Sequence, residues 1–577
     1  MNFFSDFKKL LFIVDKKPIN LVPYILLFII SAVVDVIGLG LIAPIINLII
    51  NPESQITKNI IGFASNIIGN HDYNFYIIFF SILLFVLYVL KNIIALVSQA
   101  LIMNFAYKQF ATLQSRLMSI YQNMDYLEYI KRKNVEYIRN INELCKHCID
   151  SLNFSIIIIA DSIILLVITT YLIFFNFKVL LYLILILACI YFPLQILLKP
   201  RSMRYGKNIV EAVVSIYKNI SESVSGFKEI KVINKEKFFL ERIKKAANEI
   251  YINKIKNHIV VNAPRHMLEI GMIFFVISFI ILFTLQNPTT KNIIPIISVF
   301  GVAGIRMLPL TANISKNMIN LSHFNESIKI IHHDLKNLKK ISKDIKFGEY
   351  LKDEFKNVKF KNIYFQYPSS TQPVFEGLNL SIKSNECIGI IGKSGIGKTT
   401  LIDLFLGLLK PQSGEIIIND HQIKKENLDL SEITAYLPQQ ALILESSIRD
   451  NITLEDRSED ISNNKLKESI KNANLESLIE NLSNNYNSKI GDRGLRLSGG
   501  QNQRLALARI FYHAKDIIIM DEATSSLDKE TEGIIVENIN NFKGKKTIIV
   551  ITHKESTLKY VDKIFEIKNR KLTIVEK

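Results

Sequence analysis

Gly392-Lys393-Ser394-Gly395-Ile396-Gly397-Lys398-Thr399 has the spacing G-x-x-x-x-G-K-T. In such a run the glycines let backbone N–H groups wrap the phosphates of a nucleotide, the lysine reaches the β- and γ-phosphates, and the threonine hydroxyl faces Mg²⁺. A short apolar run, Cys387 to Ile391, precedes it, and an apolar helical run, Leu401 to Leu409, follows Thr400. Strand, glycine loop and helix are the order such a site needs, so this part of the chain is predicted to be an α/β P-loop domain binding ATP with Mg²⁺.

Further along, the apolar strand Ile517-Ile518-Ile519-Met520 ends in Asp521-Glu522. Asp521 is placed to hold Mg²⁺ through water and Glu522 to polarise an attacking water, the task that hydrolysis adds to metal binding. Between them lies Leu497-Ser498-Gly499-Gly500-Gln501, which opens a helix running through Arg509. A serine and two glycines at a helix N-terminus make a second anion-binding end. One nucleotide does not need two such grips from one domain.

These motifs, with Gln439 after Leu437-Pro438, Ser525-Ser526-Leu527-Asp528, and His553 after Val550-Ile551-Thr552, stand in the order that marks the ATP-binding cassette family, which residues 355–577 resemble. The resemblance implies further roles. Tyr367, in Phe365-Gln366-Tyr367-Pro368, corresponds to the aromatic that stacks on adenine. Gln439 corresponds to the residue that senses Mg²⁺ and the attacking water, His553 to the switch on the γ-phosphate, and Asp528 to the loop residue that communicates between two cassettes. It also implies that Ser498 to Gln501 of one chain complete the ATP site of a second copy, so a homodimer is expected.

Upstream the chain changes character. Six apolar stretches approach the ~20 residues that span a ~30 Å hydrocarbon core: 21–50, 75–103, 154–175, 179–198, 258–285 and 293–321. The third and fourth are so close that they must form a tight hairpin. Lys and Arg concentrate before the first stretch, between the second and third, and between the fourth and fifth, which places those segments and both termini in the cytoplasm. The expected architecture is a six-helix, all-α transmembrane domain with long cytoplasmic helical extensions (20–330), preceded by an interfacial amphipathic helix (1–19) and joined by a linker (331–354) to the cassette (355–577). An external amphipathic helix is expected over 56–68, from Ile56, Ile60, Ile61, Phe63, Ile67 and Ile68.

Composition agrees with this division. Across 577 residues, 70 Lys+Arg against 53 Asp+Glu give a net charge of +17 on a background that is 49% hydrophobic. Ample Phe, Tyr, Ile and Leu exclude a disordered chain, and 4 Cys exclude a disulfide scaffold of this size. The basic charge follows membrane topology, so no nucleic-acid partner is expected. Cys145-Lys146-His147-Cys148 lacks a second ligand cluster and reads as a reduced cytoplasmic helix, not a metal site.

The cargo must be sought in the membrane half. Lys91, Arg265 and Arg306 fall at the cytoplasmic depth of their stretches, where three cations suit an anionic lipid headgroup; an Arg265–Glu269 pair one turn apart is the competing structural reading. Segments 129–134, 138–140, 226–231, 263–269 and 306–309 resemble the lipid-linked oligosaccharide flippase (PglK-like) branch of ABC exporters. That resemblance implies a flippase for a lipid-linked glycan or another amphiphile in a bacterial inner membrane; exporters of a peptide or toxin, or of other lipids or drugs, are the alternatives.

Overall fold

The structure, a computed structural model, describes residues 3–50, 61–62, 65–66, 69, 72–286, 293–341, 354–368, 370–423, 430, 433–455, 461–491, 497–522 and 529–575. It divides into two units: residues 1–124 with 131–342, and residues 125–130 with 343–577.

The first unit is helical. It contains α1 (Phe3–Ile13) and α2 (Val22–Ile50), then α3 (Tyr73–Gln122). A short helix, α4 (Tyr126–Ile130), is assigned to the second unit, after which α5 (Asn134–Arg139) and α6 (Cys145–Ser225) resume the first. The unit ends with α7 (Phe227–Val232), α8 (Glu236–Gln286), α9 (Ile293–His323) and α10 (Asn325–Ile341). Helix α3 has 50 residues, about 75 Å of helix at ~1.5 Å per residue, so it extends far beyond a ~30 Å hydrocarbon core. Residues 73–122, 134–225 and 236–282 form helical stretches long and apolar enough to cross a membrane.

The expected hairpin is visible inside α6. Asn176 leaves the helical region at φ −161° and ψ 99°, and its side-chain oxygen accepts from the Val179 N–H at 3.3 Å, which restarts the helix. Ile168 and Leu172 before the break share one buried cluster with Leu180 and Leu183 after it. The polar tip residue thus provides both the break and the cap.

A second cluster gathers α1, the distal part of α3, the start of α6, and α10. Leu10, Leu11 and Ile13 of α1 are buried in it, so this helix spends most of its apolar face on protein, while Phe4 remains exposed. Helix α10 occupies the first part of the expected linker. Ile328, Ile331 and Leu335 recur at helical spacing and all are buried, which gives 331–341 a reason to stay helical. The expected external helix at 56–68 falls largely outside the described residues.

The second unit holds two sheets. One is a four-stranded antiparallel sheet, ordered β2-β1-β4-β5, from β1 (Asn357–Phe365), β2 (Phe375–Lys383), β4 (Ser413–Ile418) and β5 (His421–Ile423). The other is six-stranded, ordered β10-β9-β3-β8-β7-β6. Its members are β3 (Cys387–Ile391), β6 (Thr434–Leu437), β7 (Ile517–Asp521), β8 (Thr547–Ile551), β9 (Lys563–Lys568) and β10 (Lys571–Val575). All pairs are parallel except β9 with β10. Strands β3, β7 and β8 are buried along nearly their whole length, which is why they read as unbroken Ile and Val runs without alternation. The unit also contains helices α11 (Lys398–Phe405), α12 (Ile448–Thr453), α13 (Asn463–Asn472), α14 (Gly499–His513) and α15 (Lys529–Asn540), with shorter helical turns at Glu476–Glu480 and Glu555–Leu558, and Tyr126 and Leu127 of α4 pack on its core.

Candidate functional site

The order β3-β8-β7 brings three motifs to one edge. Parallel register pairs Ile390 of β3 with Ile551 of β8, and Ile551 with Asp521 of β7, so the carboxyl ends of all three strands lie together. The P-loop leaves β3, Thr552-His553 leaves β8, and Glu522 leaves β7 at that edge, the usual place for a ligand in a parallel sheet.

The loop itself depends on glycine. Gly395 and Gly397 have φ of +77° and +113°, values that residues with a Cβ rarely adopt. A Cβ at Gly397 would also stand 2.6 Å from Val374 Cγ1. Gly397 caps α11, so the free N–H groups of Lys398, Thr399 and Thr400 point into the space that Gly392, Lys393, Ser394 and Ile396 enclose.

The expected polar partners converge in two pairs. Lys398 Nζ donates to the Gly392 carbonyl at 2.6 Å and to His553 Nε2 at 2.8 Å, so the lysine and the histidine reach the same point from two strands. An ammonium only donates, so Nε2 is the accepting nitrogen of this pair. Gln439 Nε2 donates to Glu522 Oε2 at 2.7 Å. Glu522 itself holds a left-handed backbone, φ +52°, with its N–H bonded to the Ile551 carbonyl at 3.0 Å. Such a conformation in a residue with a Cβ is strained and aims the carboxylate by backbone geometry as well as by side-chain contacts.

Two residues invisible to motif reading join this site. The Tyr436 hydroxyl donates to the Asp521 carboxylate. Asp403, one turn into α11, is buried near Asp521; burial, and then the Asp521 charge, push its carboxyl up to about 6. Burial and the adjacent Glu522 also raise Asp521, against the pull of Lys398. An aspartate within Leu401-Ile402-Asp403-Leu404-Phe405, in an otherwise apolar helix, was the only local signal available.

This surplus of negative charge fits a divalent cation. Among the described residues no three His, Cys, Asp or Glu side chains form a metal cage. That is the pattern Mg²⁺ favours, with one or two carboxylates plus the phosphate oxygens of its ligand. Asp521, the Thr399 hydroxyl and Gln439 are the donors at hand.

Tyr367 packs beside the P-loop helix, edge-on to Phe365, with its hydroxyl 3.2 Å from Thr400 Oγ1. Ser498 to Gln501 form a reciprocal cap on α14: the Ser498 N–H donates to Gln501 Oε1 at 2.8 Å, and Ser498 Oγ accepts from the Gln501 N–H at 3.3 Å. These bonds are local, and Ser498 and Gly499 are exposed at the helix start. Asp528 lies outside the described residues.

The three candidate cargo residues are not brought to one point. Arg306 of α9 stands over the Tyr88 ring at 4.5 Å, one turn from Lys91 on α3. Arg265 pairs instead with Glu269 at 3.0 Å, as the competing reading had it. In the Cys145–Cys148 stretch both thiols are buried, and burial pushes Cys145 up to about 12. His147 accepts or donates at Ser327 Oγ, 2.9 Å away. Neither sulfur is a nucleophile there.

Comparison with known proteins agrees with this geometry. Residues 21–303 match the ABC transporter transmembrane region, and residues 375–525 match the ABC transporter family model. Two separate regions of the chain therefore resemble the two domains of ABC transporters. Among its relatives, ABC transporter B family member 29, chloroplastic, of Arabidopsis thaliana is 39% identical over 216 residues, 37% of this chain and 34% of that one. Alpha-hemolysin translocation ATP-binding protein HlyB of Escherichia coli O6:H1 is 37% identical over 217 residues, 37% of this chain and 30% of that one. Multidrug resistance protein pgp-1 of Caenorhabditis elegans is 36% identical over 215 residues, 37% of this chain and 16% of that one. The chain thus spans well under half the length of these relatives. A solved bacterial Atm1-family ABC exporter with ATP bound shares the fold, with a TM-score of 0.78 and 18% identity over 96% of this chain and 95% of that one.

Proposed function

We propose that this chain hydrolyses ATP to move an amphiphile across a bacterial cytoplasmic membrane, working as a pair of identical chains with both termini inside. The observation that carries the ATPase reading is the pairing at the sheet edge: Gln439 on Glu522, and His553 on Lys398.

Each residue then has a task. Backbone N–H groups from Gly392 to Thr400 hold the phosphates, Lys398 neutralises them, and Tyr367 lies against the adenine. Asp521, steadied by Tyr436, would hold Mg²⁺ with Thr399 and Gln439; bound there, the ion offsets phosphate charge. Glu522 accepts the proton of the attacking water, with the Gln439 amide fixing the carboxylate that receives it. His553, held beside Lys398, is the switch residue for the γ-phosphate. Ser498, Gly499, Gly500 and Gln501 offer a helix N-terminus to the nucleotide on the other copy, and Asp528 keeps the role of communicating between the two cassettes that the resemblance implies. Pairing is also supported by α7, whose flanking Phe227, Val232 and Ile233 are 69, 74 and 62% exposed, an apolar tip that a single chain leaves uncovered.

For the cargo we retain a lipid-linked oligosaccharide or related anionic glycolipid, supported by the resemblance and by Arg306 stacking on Tyr88, whose helix carries Lys91 one turn further on. The names of the relatives, multidrug resistance and hemolysin translocation, favour a drug or toxin instead, and the Arg265–Glu269 pair removes one cation from the glycolipid argument. The ATPase reading is tested by Glu522→Gln in the purified full chain. ATP binding should persist while turnover falls by about 10²-fold or more, the usual worth of a general base. Turnover at the parent rate would remove Glu522 from this role.

A further inference from the structure

The chain passes between the two units three times, at 124/125, 130/131 and 342/343. Residues close to the first two passages reach a carboxylate that stands before the third. Asp334 of α10 is 1% exposed and precedes the third passage. Arg132, just after the second, grips it with both guanidinium nitrogens, Nη1 to Oδ2 at 2.7 Å and Nη2 to Oδ1 at 2.8 Å. Tyr121, just before the first, donates its hydroxyl to Oδ2 at 2.6 Å.

The surroundings complete the set. Asn140 Nδ2 donates to the Tyr121 hydroxyl at 3.0 Å and lies 3.5 Å from Asp334 Oδ2, while Arg139 Nη2 donates to Asn140 Oδ1 at 2.8 Å. His333 Nδ1 is 3.6 Å from Asp334 Oδ1, and the Tyr137 ring meets Tyr121 edge-on. All of these side chains belong to the first unit.

A forked, buried ion pair differs physically from the apolar contacts around it. Leucine and isoleucine faces slide at small cost, whereas two parallel N–H···O bonds fix orientation as well as distance. Separating the pair strands a charge away from water, so the joint holds or breaks as a whole. The fork joins Arg132, two residues beyond α4, to α10, and Tyr121 joins the end of α3 to the same carboxylate.

Building on the proposed ATP-driven transport, we infer that Asp334 is the positioning residue that ties nucleotide turnover to movement of the membrane helices. It acts through Arg132 and Tyr121 and touches no nucleotide.

The test uses the full chain in lipid nanodiscs, with Cys189→Ser to silence the exposed thiol and Asp72→Cys as a reporter at the far end of α3. Maleimide labelling of the reporter is compared with and without ATP plus vanadate, alongside ATPase rate and melting temperature. Asp334→Asn is expected to keep ATPase within about twofold of the parent while the ATP-dependent change in labelling falls about tenfold, a size that coupling residues reach. Arg132→Lys, which keeps the charge but not the fork, should lose part of the change, and it serves if Asp334→Asn folds poorly. If either folded variant keeps the parent's labelling change, or loses it only in proportion to ATPase, the inference is overturned. A parent chain with no ATP-dependent change would overturn the functional reading and this inference together.

Discussion

At the scale of the residue, the site shows what motif spacing conveys and what it leaves out. The glycines of 392–399 were legible because their chemistry is local: only a residue without a Cβ tolerates φ +113° and the approach of Val374 at position 397. Gly397→Ala should therefore weaken ATP binding more than tenfold, measurable by fluorescent-nucleotide titration with little loss of helicity. The left-handed backbone of Glu522 and the burial of Asp403 had no such signature, since both follow from neighbours far along the chain. Asp403 carries a pH consequence. Its carboxyl is raised to about 6, so the folded chain binds that proton more tightly than the unfolded one. Its stabilising contribution is complete below the ordinary aspartate range and is lost as pH rises through about 6. Calorimetry of the nucleotide-free chain should show the cassette transition falling between about pH 4 and about pH 6.5. Asp403→Asn should flatten that fall and raise the transition at pH 7.5 by about 2–4 °C, the effect of about 1 kcal/mol in a domain this size.

At the scale of the element, period and punctuation located the helices well and their partners poorly. The break at Asn176 followed from two apolar runs too close for any other connection, and the structure adds the cap to Val179. Helix α10 extends to Ile341 because tertiary burial of Ile331 and Leu335 outweighs a polar-looking sequence. The opening of α14 combines two functions in one motif, since Ser498 and Gln501 cap the helix reciprocally while Ser498 and Gly499 remain exposed. Ser498→Ala should destabilise the cassette by about 1 kcal/mol, the usual worth of such a cap, seen as a lower denaturant midpoint. Its ATPase should fall by a larger factor than the stability change explains. The Asp334 joint was illegible for a plain reason: Arg132 and Tyr121 reach it across 202 and 213 residues, and no local pattern encodes such a pairing.

At the scale of the whole molecule, two regions match the ABC transporter models and the chain shares an exporter's fold, while ATP turnover, cargo and assembly are proposals. Assembly has a clean genetic test. If Ser498 to Gln501 serve the other copy, a mixed pair with Lys398→Ala in one chain and Gly500→Asp in the other keeps one intact composite site, because both lesions fall in the same place. Sites built within one chain would both be dead. About half the parent ATPase in the mixed pair, against background in either pure variant, is the expected result.

The most direct measurement of the central claim is ATP-driven movement itself. The purified chain, reconstituted in liposomes with a fluorescent polyprenyl-pyrophosphate oligosaccharide, should remove that lipid from the accessible leaflet when ATP is supplied, and Glu522→Gln should not. Equal movement by both, or none by a parent chain that hydrolyses ATP at full rate, would contradict an ATP-powered flippase of anionic glycolipids.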